Sequence, residues 1–150
     1  MPSIVASYIY TMVAIAVVGA ILIAAFNSYT TSIKTTSESE QLKNILSQVA
    51  AQGNELLTIT EATNSSTRLS IQLPATIGQK QYWLRIRNDS SSTWIEGSFG
   101  QIAEKTELDR LFLPKGTGAS GYFIGGYGPA ILESYMNSST PQLNLTYRGG

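Results

Sequence analysis

Apolar residues crowd the start of the chain with no period, then recur at helical spacing, then alternate with polar ones. From Ile4 to Phe26 the large apolar side chains are Ile4, Val5, Ile9, Met12, Val13, Ile15, Val17, Val18, Ile21, Leu22, Ile23 and Phe26. Each is worth about 1.5–3 kcal/mol when removed from water. They fall on all sides of a helix rather than on one stripe, the pattern of a segment surrounded by apolar material. As a helix this span is about 35 Å long, enough to cross a hydrocarbon core of about 30 Å.

A polar collar follows, Asn27, Ser28, Tyr29, Thr30, Thr31 and Ser32, and beyond it Leu42, Ile45, Leu46, Val49, Leu56 and Leu57 recur at steps of three, four and seven. This is an amphipathic helix face. No Pro lies between Pro2 and Pro74, so nothing forces a stop between the two patterns. One helix is therefore expected over residues 1–57, with Leu42, Ile45, Leu46 and Val49 seating a separate head. Residues 28–39 are rich in Ser and Thr, poor helix-interior residues, and a local unwinding would fall there.

After about Glu61 the period drops to two. Thr67–Leu73 puts Leu69, Ile71 and Leu73 on one side. Gln81–Asn88 puts Tyr82, Leu84 and Ile86 on one side and Trp83, Arg85 and Arg87 on the other. The turn residues Asn88–Ser91 join that run to Ser92–Phe99 as a hairpin. Further strand candidates are Arg110–Leu113, Tyr122–Ile124, Ile131–Met136 and Gln142–Tyr147. About seven short strands at close spacing predict an Ig-like β-sandwich over 58–150, and an α+β fold for the whole chain.

Ten basic and ten acidic residues cancel without forming a block, so no phosphate-backbone footprint is present and nucleic acid is not expected as a direct partner. No Cys or His occurs, which removes disulfides, the usual zinc ligands, the thiolate nucleophile and the commonest general base. The carboxylates form no recognised catalytic or metal motif; Glu104, Glu107 and Asp109, flanked by Lys105 and Arg110, read as a solvated turn. No cofactor, metal or enzymatic activity is expected. Gly116–Gly128 lacks a following Gly-Lys-Ser/Thr and reads as a tightly turned segment whose Tyr122, Phe123 and Tyr127 pack on the sheet or a neighbour. Trp83 and Trp94, on facing strands, are either a cross-strand aromatic contact or a platform for a sugar.

Each asparagine of the head begins an Asn-x-Ser/Thr sequence: Asn64, Asn88, Asn137 and Asn144. With Ser and Thr at 33 of 150 positions, chance supplies about one such match among four asparagines. The four are candidate N-glycosylation sites, which would place the head outside a cell.

The apolar segment is also not built as a secretory signal: nothing basic precedes Ile4, and the first charged residue is Lys34. Ala16, Ala20 and Ala24 lie on one helix line with Gly19 beside it, the small-residue spacing that allows close helix approach. In this layout, and in the segment SIVASYIYTMVAIAVVGAILIAAFNSY above all, the chain resembles the archaeal type IV pilin-like family of adhesive pilins and archaellum filament proteins.

The resemblance implies a filament subunit. Members are processed by a class III signal peptidase that removes a short basic leader just before the apolar segment. Met1 would then be either the residue after cleavage or an initiator before a very short leader. Bacterial relatives of that family carry a Glu at the fifth mature position and a Pro within the apolar helix; this chain has Val5 and no interior Pro, so an unbroken helix is expected. Ile4, Val5, Ile9, Met12, Val13, Ala16, Val17, Gly19, Ala20, Ile21, Ala24 and Phe26 would line a self-assembled core. The partners implied are other copies of the chain, the membrane before assembly, and N-linked glycans. The alternative is a single-pass, membrane-anchored β-sandwich protein that binds a ligand or serves a surface filament as a stator-like accessory.

Overall fold

A computed structural model describes residues 2–102 and 108–148. They fall into two units, 1–39 and 40–150. The elements are one helix, α1 (Pro2–Thr63), and seven strands: β1 (Thr67–Ile71), β2 (Tyr82–Asn88), β3 (Thr93–Phe99), β4 (Asp109–Leu113), β5 (Gly118–Ile124), β6 (Ala130–Asn137) and β7 (Thr140–Tyr147). The α+β class expected from the sequence is the observed one.

The described part of the first unit is helical throughout, including the collar, where no unwinding occurs. The reason lies in the threonines. Thr30, Thr31, Thr35 and Thr36 each donate their hydroxyl to the carbonyl four residues earlier, at 2.9–3.0 Å, and Thr11 does the same to Ser7. A hydroxyl bonded back onto the i−4 carbonyl of its own helix is accommodated within helical geometry, at a slight cost in stability.

In the second unit α1 runs past Leu57 to Thr63. It ends at Asn64, whose φ of 53° is left-handed and whose N–H donates to the Thr60 carbonyl at 2.8 Å. That is a helix C-terminal cap, a place where Asn is second only to Gly.

The seven strands form a single sheet in the order β1-β6-β7-β5-β2-β3-β4. Every neighbouring pair is antiparallel except β5 and β7, which run parallel. Here the structure corrects the expected sandwich: one sheet replaces two stacked ones, and the covering layer is the amphipathic part of α1. Leu42, Ile45, Leu46, Val49, Ala50, Leu56 and Leu57 share one buried cluster with Ile71, Tyr82, Leu84, Ile86, Ile95, Phe123, Leu132, Leu143 and Leu145. Alternation reports one buried sheet face, and a helix covers such a face as well as a second sheet does. Close approach is visible at two glycines. A Cβ at Gly53 would sit 2.9 Å from Leu143 Cδ2, and one at Gly97 would sit 3.4 Å from Leu46 Cδ2.

The Gly-rich segment is also more regular than expected. Its first half is the start of β5, which begins at Gly118 rather than Tyr122. Gly121 holds a φ of 104° within the strand, and a Cβ there would collide with the Leu145 carbonyl on parallel β7.

Candidate functional site

Two features stand out, one in each unit. The first is the apolar surface of residues 3–33. The large apolar side chains from Ile4 to Ile33 are each 52–75% exposed, and the most apolar 18-residue stretch of the helix has none of its residues buried within the chain. This helix is long and apolar enough to cross a membrane. Ile4, Val5, Ile9, Met12, Val13, Val17, Ile21 and Phe26 belong to that surface. Ala16, Ala20 and Ala24 are exposed between them, and a Cβ at Gly19 would meet nothing within 4 Å. Leu42, Ile45, Leu46 and Val49 are buried in the second unit, with Leu46 fully so.

The asparagines of the four Asn-x-Ser/Thr sequences are not equivalent. Asn64, Asn88 and Asn137 are exposed at the end of α1, at the end of β2 and at the β6–β7 turn. Asn144 is half-buried in the middle of β7, and its Oδ1 would lie 2.7 Å from a Cβ at Gly121. Of the three acidic residues assigned to a solvated turn, Glu104 and Glu107 lie outside the described residues, as does Lys105. Asp109 opens β4, 3.9 Å from Lys43.

The second feature is a cross-strand row on the sheet face opposite the helix. The β2–β3 register pairs Arg85 with Glu96, the β3–β4 register pairs Glu96 with Arg110, and the β2–β5 register pairs Arg85 with Tyr122. Tyr122, Arg85, Glu96 and Arg110 therefore stand side by side on four adjacent strands. Glu96 is fully buried at the centre. Its Oε1 accepts from Arg85 Nε at 2.8 Å and Arg85 Nη2 at 2.6 Å. Its Oε2 accepts from the Trp94 indole N–H at 2.8 Å and lies 3.4 Å from Arg110 Nε. Arg87 Nη1 lies 3.9 Å from Oε1.

Burial alone would push the Glu96 carboxyl up. The hydrogen bonds from Trp94 and Arg85, with the charges of Arg85 and Arg110, outweigh it and hold the group below the usual carboxylate range. At the β2–β3 turn Asp89 is held low as well, by hydrogen bonds from the Ser91 and Ser92 backbone N–H groups and the Ser91 hydroxyl.

The two tryptophans do not stack on each other. Each is capped by an arginine: Arg85 lies 5.4 Å from the Trp83 ring centre and Arg110 lies 5.2 Å from that of Trp94. Trp83 points away from the core side of β2 yet is only 1% exposed, and its indole N–H is buried without an acceptor. Both tryptophans stand out in the sequence, whereas Glu96 is one of ten acidic residues that form no recognised motif. The signal was there in the hairpin: a turn that pairs Asn88 with Thr93 also pairs Arg85 with Glu96.

Residues 2–110 match a described family, DUF7266. The chain belongs to this family of unknown function. The DUF7266 match takes in all of α1, β1 to β3 and the start of β4. Arg85, Arg87, Trp94, Glu96 and Arg110 therefore all lie within it, whereas β5 to β7 lie beyond it. No curated protein matches the chain, and no solved structure does.

Proposed function

We propose that this DUF7266 chain is the structural subunit of an extracellular filament of the type IV pilus-like kind, polymerising through residues 4–26. The single observation that carries this reading is the apolar helix whose side chains lie bare on every side. Lipid and a bundle of like helices both satisfy such a surface. No charged residue lies between Pro2 and Ile33, so bundling like helices along that span buries no charge. The small-residue line Ala16, Ala20, Ala24 suits close helix packing. In this reading the membrane holds the helix before assembly, and a head-to-tail contact that does not close on itself extends the filament. The heads face outward, for surface adhesion or cell–cell contact, with exposed Asn64, Asn88 and Asn137 as points of glycan attachment.

The test is electron microscopy of material sheared from cells that express the chain, compared with cells that express Val17→Lys. Wild-type cells should release filaments built of this chain, and the variant should release none while accumulating in the membrane. Filaments of normal number from the variant would remove the proposed core.

A second reading, a single-pass anchored binding or accessory protein, draws on the arginine and tryptophan row of the head. Fractionation separates the two. An anchored protein stays with the membrane until detergent is added, whereas filament subunits come away by shear.

A further inference from the structure

The parallel pairing of β5 with β7 runs from Gly118 and Gln142 to Gly121 and Leu145 and stops there, although β5 continues to Ile124 and β7 to Tyr147. Past that point β5 is held by β2, with Tyr122 opposite Arg85, and β7 is held by β6, with Tyr147 opposite Ala130. At this end the sheet is two halves, β1-β6-β7 and β5-β2-β3-β4, with no backbone ladder across the seam. Two tyrosines stand across it. The rings of Tyr122 and Tyr147 meet edge to face, with centres 6.0 Å apart.

Their hydroxyls meet as well as their rings. A hydrogen bond with Tyr122 is the main cause that holds the Tyr147 phenol above its ordinary value. Bonded oxygens bring the ring carbons beside each hydroxyl close together, and those carbons carry much of the unpaired spin of an oxidised phenol. Tyr122 is exposed and Tyr147 half-buried, so an oxidant in solution reaches the pair. The ring of Tyr127 is also near Tyr147, at 5.8 Å, but Tyr127 acts on it through charge rather than a hydrogen bond. The other tyrosines are placed differently. Tyr82 is fully buried with its hydroxyl given to the Pro74 carbonyl, and among the described residues Tyr8, Tyr10, Tyr29 and Tyr135 have no tyrosine ring against them. The chain has no Cys, so no disulfide can span the seam.

We propose that Tyr122 and Tyr147 form an oxidative cross-linking site, at which a peroxide-driven peroxidase joins the two rings by a carbon–carbon bond and staples the two halves of the sheet. Each phenol gives up one electron and one proton, and the two phenoxyl radicals couple through the carbons beside their oxygens. The hydrogen on each coupled carbon then moves to its oxygen, which restores both phenols. The two electrons and two protons released reduce one hydrogen peroxide to two waters. The bond closes a loop of about 25 residues and so restricts the unfolded chain. This site lies wholly in the second unit and is independent of filament formation, so loss of the assembly reading leaves it standing.

The experiment treats the full chain, dilute in detergent micelles, with a haem peroxidase and one equivalent of hydrogen peroxide. Cleavage after Glu133 puts Tyr122 and Tyr147 on separate peptides. Mass spectrometry should find those peptides joined, lighter than their sum by two hydrogen atoms, and fragmentation should place the bond at these two residues. Because the rings are already in contact, this link should exceed every other tyrosine pair by about tenfold or more. Tyr122→Phe and Tyr147→Phe should each abolish it, while Tyr127→Phe and Tyr135→Phe should leave its yield unchanged. Each substitution removes only a hydroxyl, so the ring packing and the fold persist for comparison. The linked chain should melt about 10 °C above the untreated one. The absence of the link, its formation at Tyr127 instead of Tyr122, or a majority of links between separate chains would each overturn the proposal. So would an unchanged melting midpoint in the linked chain.

Discussion

Arg85 and Glu96 face each other in register across β2 and β3, and the guanidinium donates twice, at 2.8 and 2.6 Å, to one oxygen of a carboxylate that is fully buried on the sheet's outer face. Removing one member strands the other in low dielectric. Glu96→Gln should therefore lower stability by about 2–3 kcal/mol, read as a shift in the denaturant midpoint. In a double-mutant cycle with Arg85→Gln the two losses should fall short of additivity. Additive losses would mean that the pair is not an energetic unit.

The same carboxyl sets an acid limit. Its folded pKa lies below the ordinary value, so its contribution is complete above the unfolded pKa of about 4.3 and is lost as pH falls through the lower folded value. Unfolding midpoints should be flat from pH 7 to about 5 and decline below about 4. Glu96→Gln should remove much of that decline. An equal acid slope in the variant would assign it to other carboxyls, of which Asp89 is the first candidate.

Tyr82 sets an alkaline limit. Burial pushes its phenol up to about 12, and the hydroxyl donates to the Pro74 carbonyl at 2.7 Å. The folded chain then holds a proton that the unfolded chain releases near pH 10, so stability should fall as pH rises from about 10 toward 12. Tyr82→Phe should start about 1 kcal/mol lower at pH 7 yet show a shallower alkaline decline. The pH dependence of the thermal midpoint for both proteins measures it.

Gly121→Ala should destabilise the second unit by about 2 kcal/mol or more, since a left-handed φ and a collision with the Leu145 carbonyl act together. The loss should appear as faster amide exchange along β5 and β7, the one parallel pair. Unchanged protection there would mean that the strands slide to admit the methyl group.

Val17→Lys should leave the head untouched, because Val17 is 52% exposed and touches no core. Under the filament proposal its effect should fall on assembly alone: near-ultraviolet dichroism as in wild type, and no filaments in sheared material. An unpaired lysine in a dry helical core costs several kcal/mol per subunit. Joint loss of assembly and head structure would show that the two units depend on each other.

How far the sequence carried this picture varied from element to element. The strands were legible because Tyr82, Leu84 and Ile86 alternate with Trp83, Arg85 and Arg87, and the turn residues at Asn88–Ser91 stand out. What covers the apolar face was not legible, because Leu84 turns inward in the same way beneath a helix as beneath a sheet. The helix through the collar was hidden because Thr30 and Thr36 have poor helix propensity, and their bonds back to Phe26 and Ser32 do not register in propensity. The parallel β5–β7 pair could not be foreseen, since long-range neighbours carry no local signal. The Glu96 row was foreseeable in principle: hairpin register follows from the turn. Its burial was not, because that arises from arginine stems and tryptophan rings lying over a strand pattern that reads as solvent-facing.

The threonines that bond back onto α1 have a consequence for where the helix can travel. With their hydroxyls spent on carbonyls of the same helix, Thr11, Thr30, Thr31, Thr35 and Thr36 present mostly methyl groups outward. A helix dressed in this way keeps the same internal hydrogen bonds in acyl chains, in a protein bundle or at a water boundary. A change of medium therefore asks none of these five hydroxyls to find or surrender a partner.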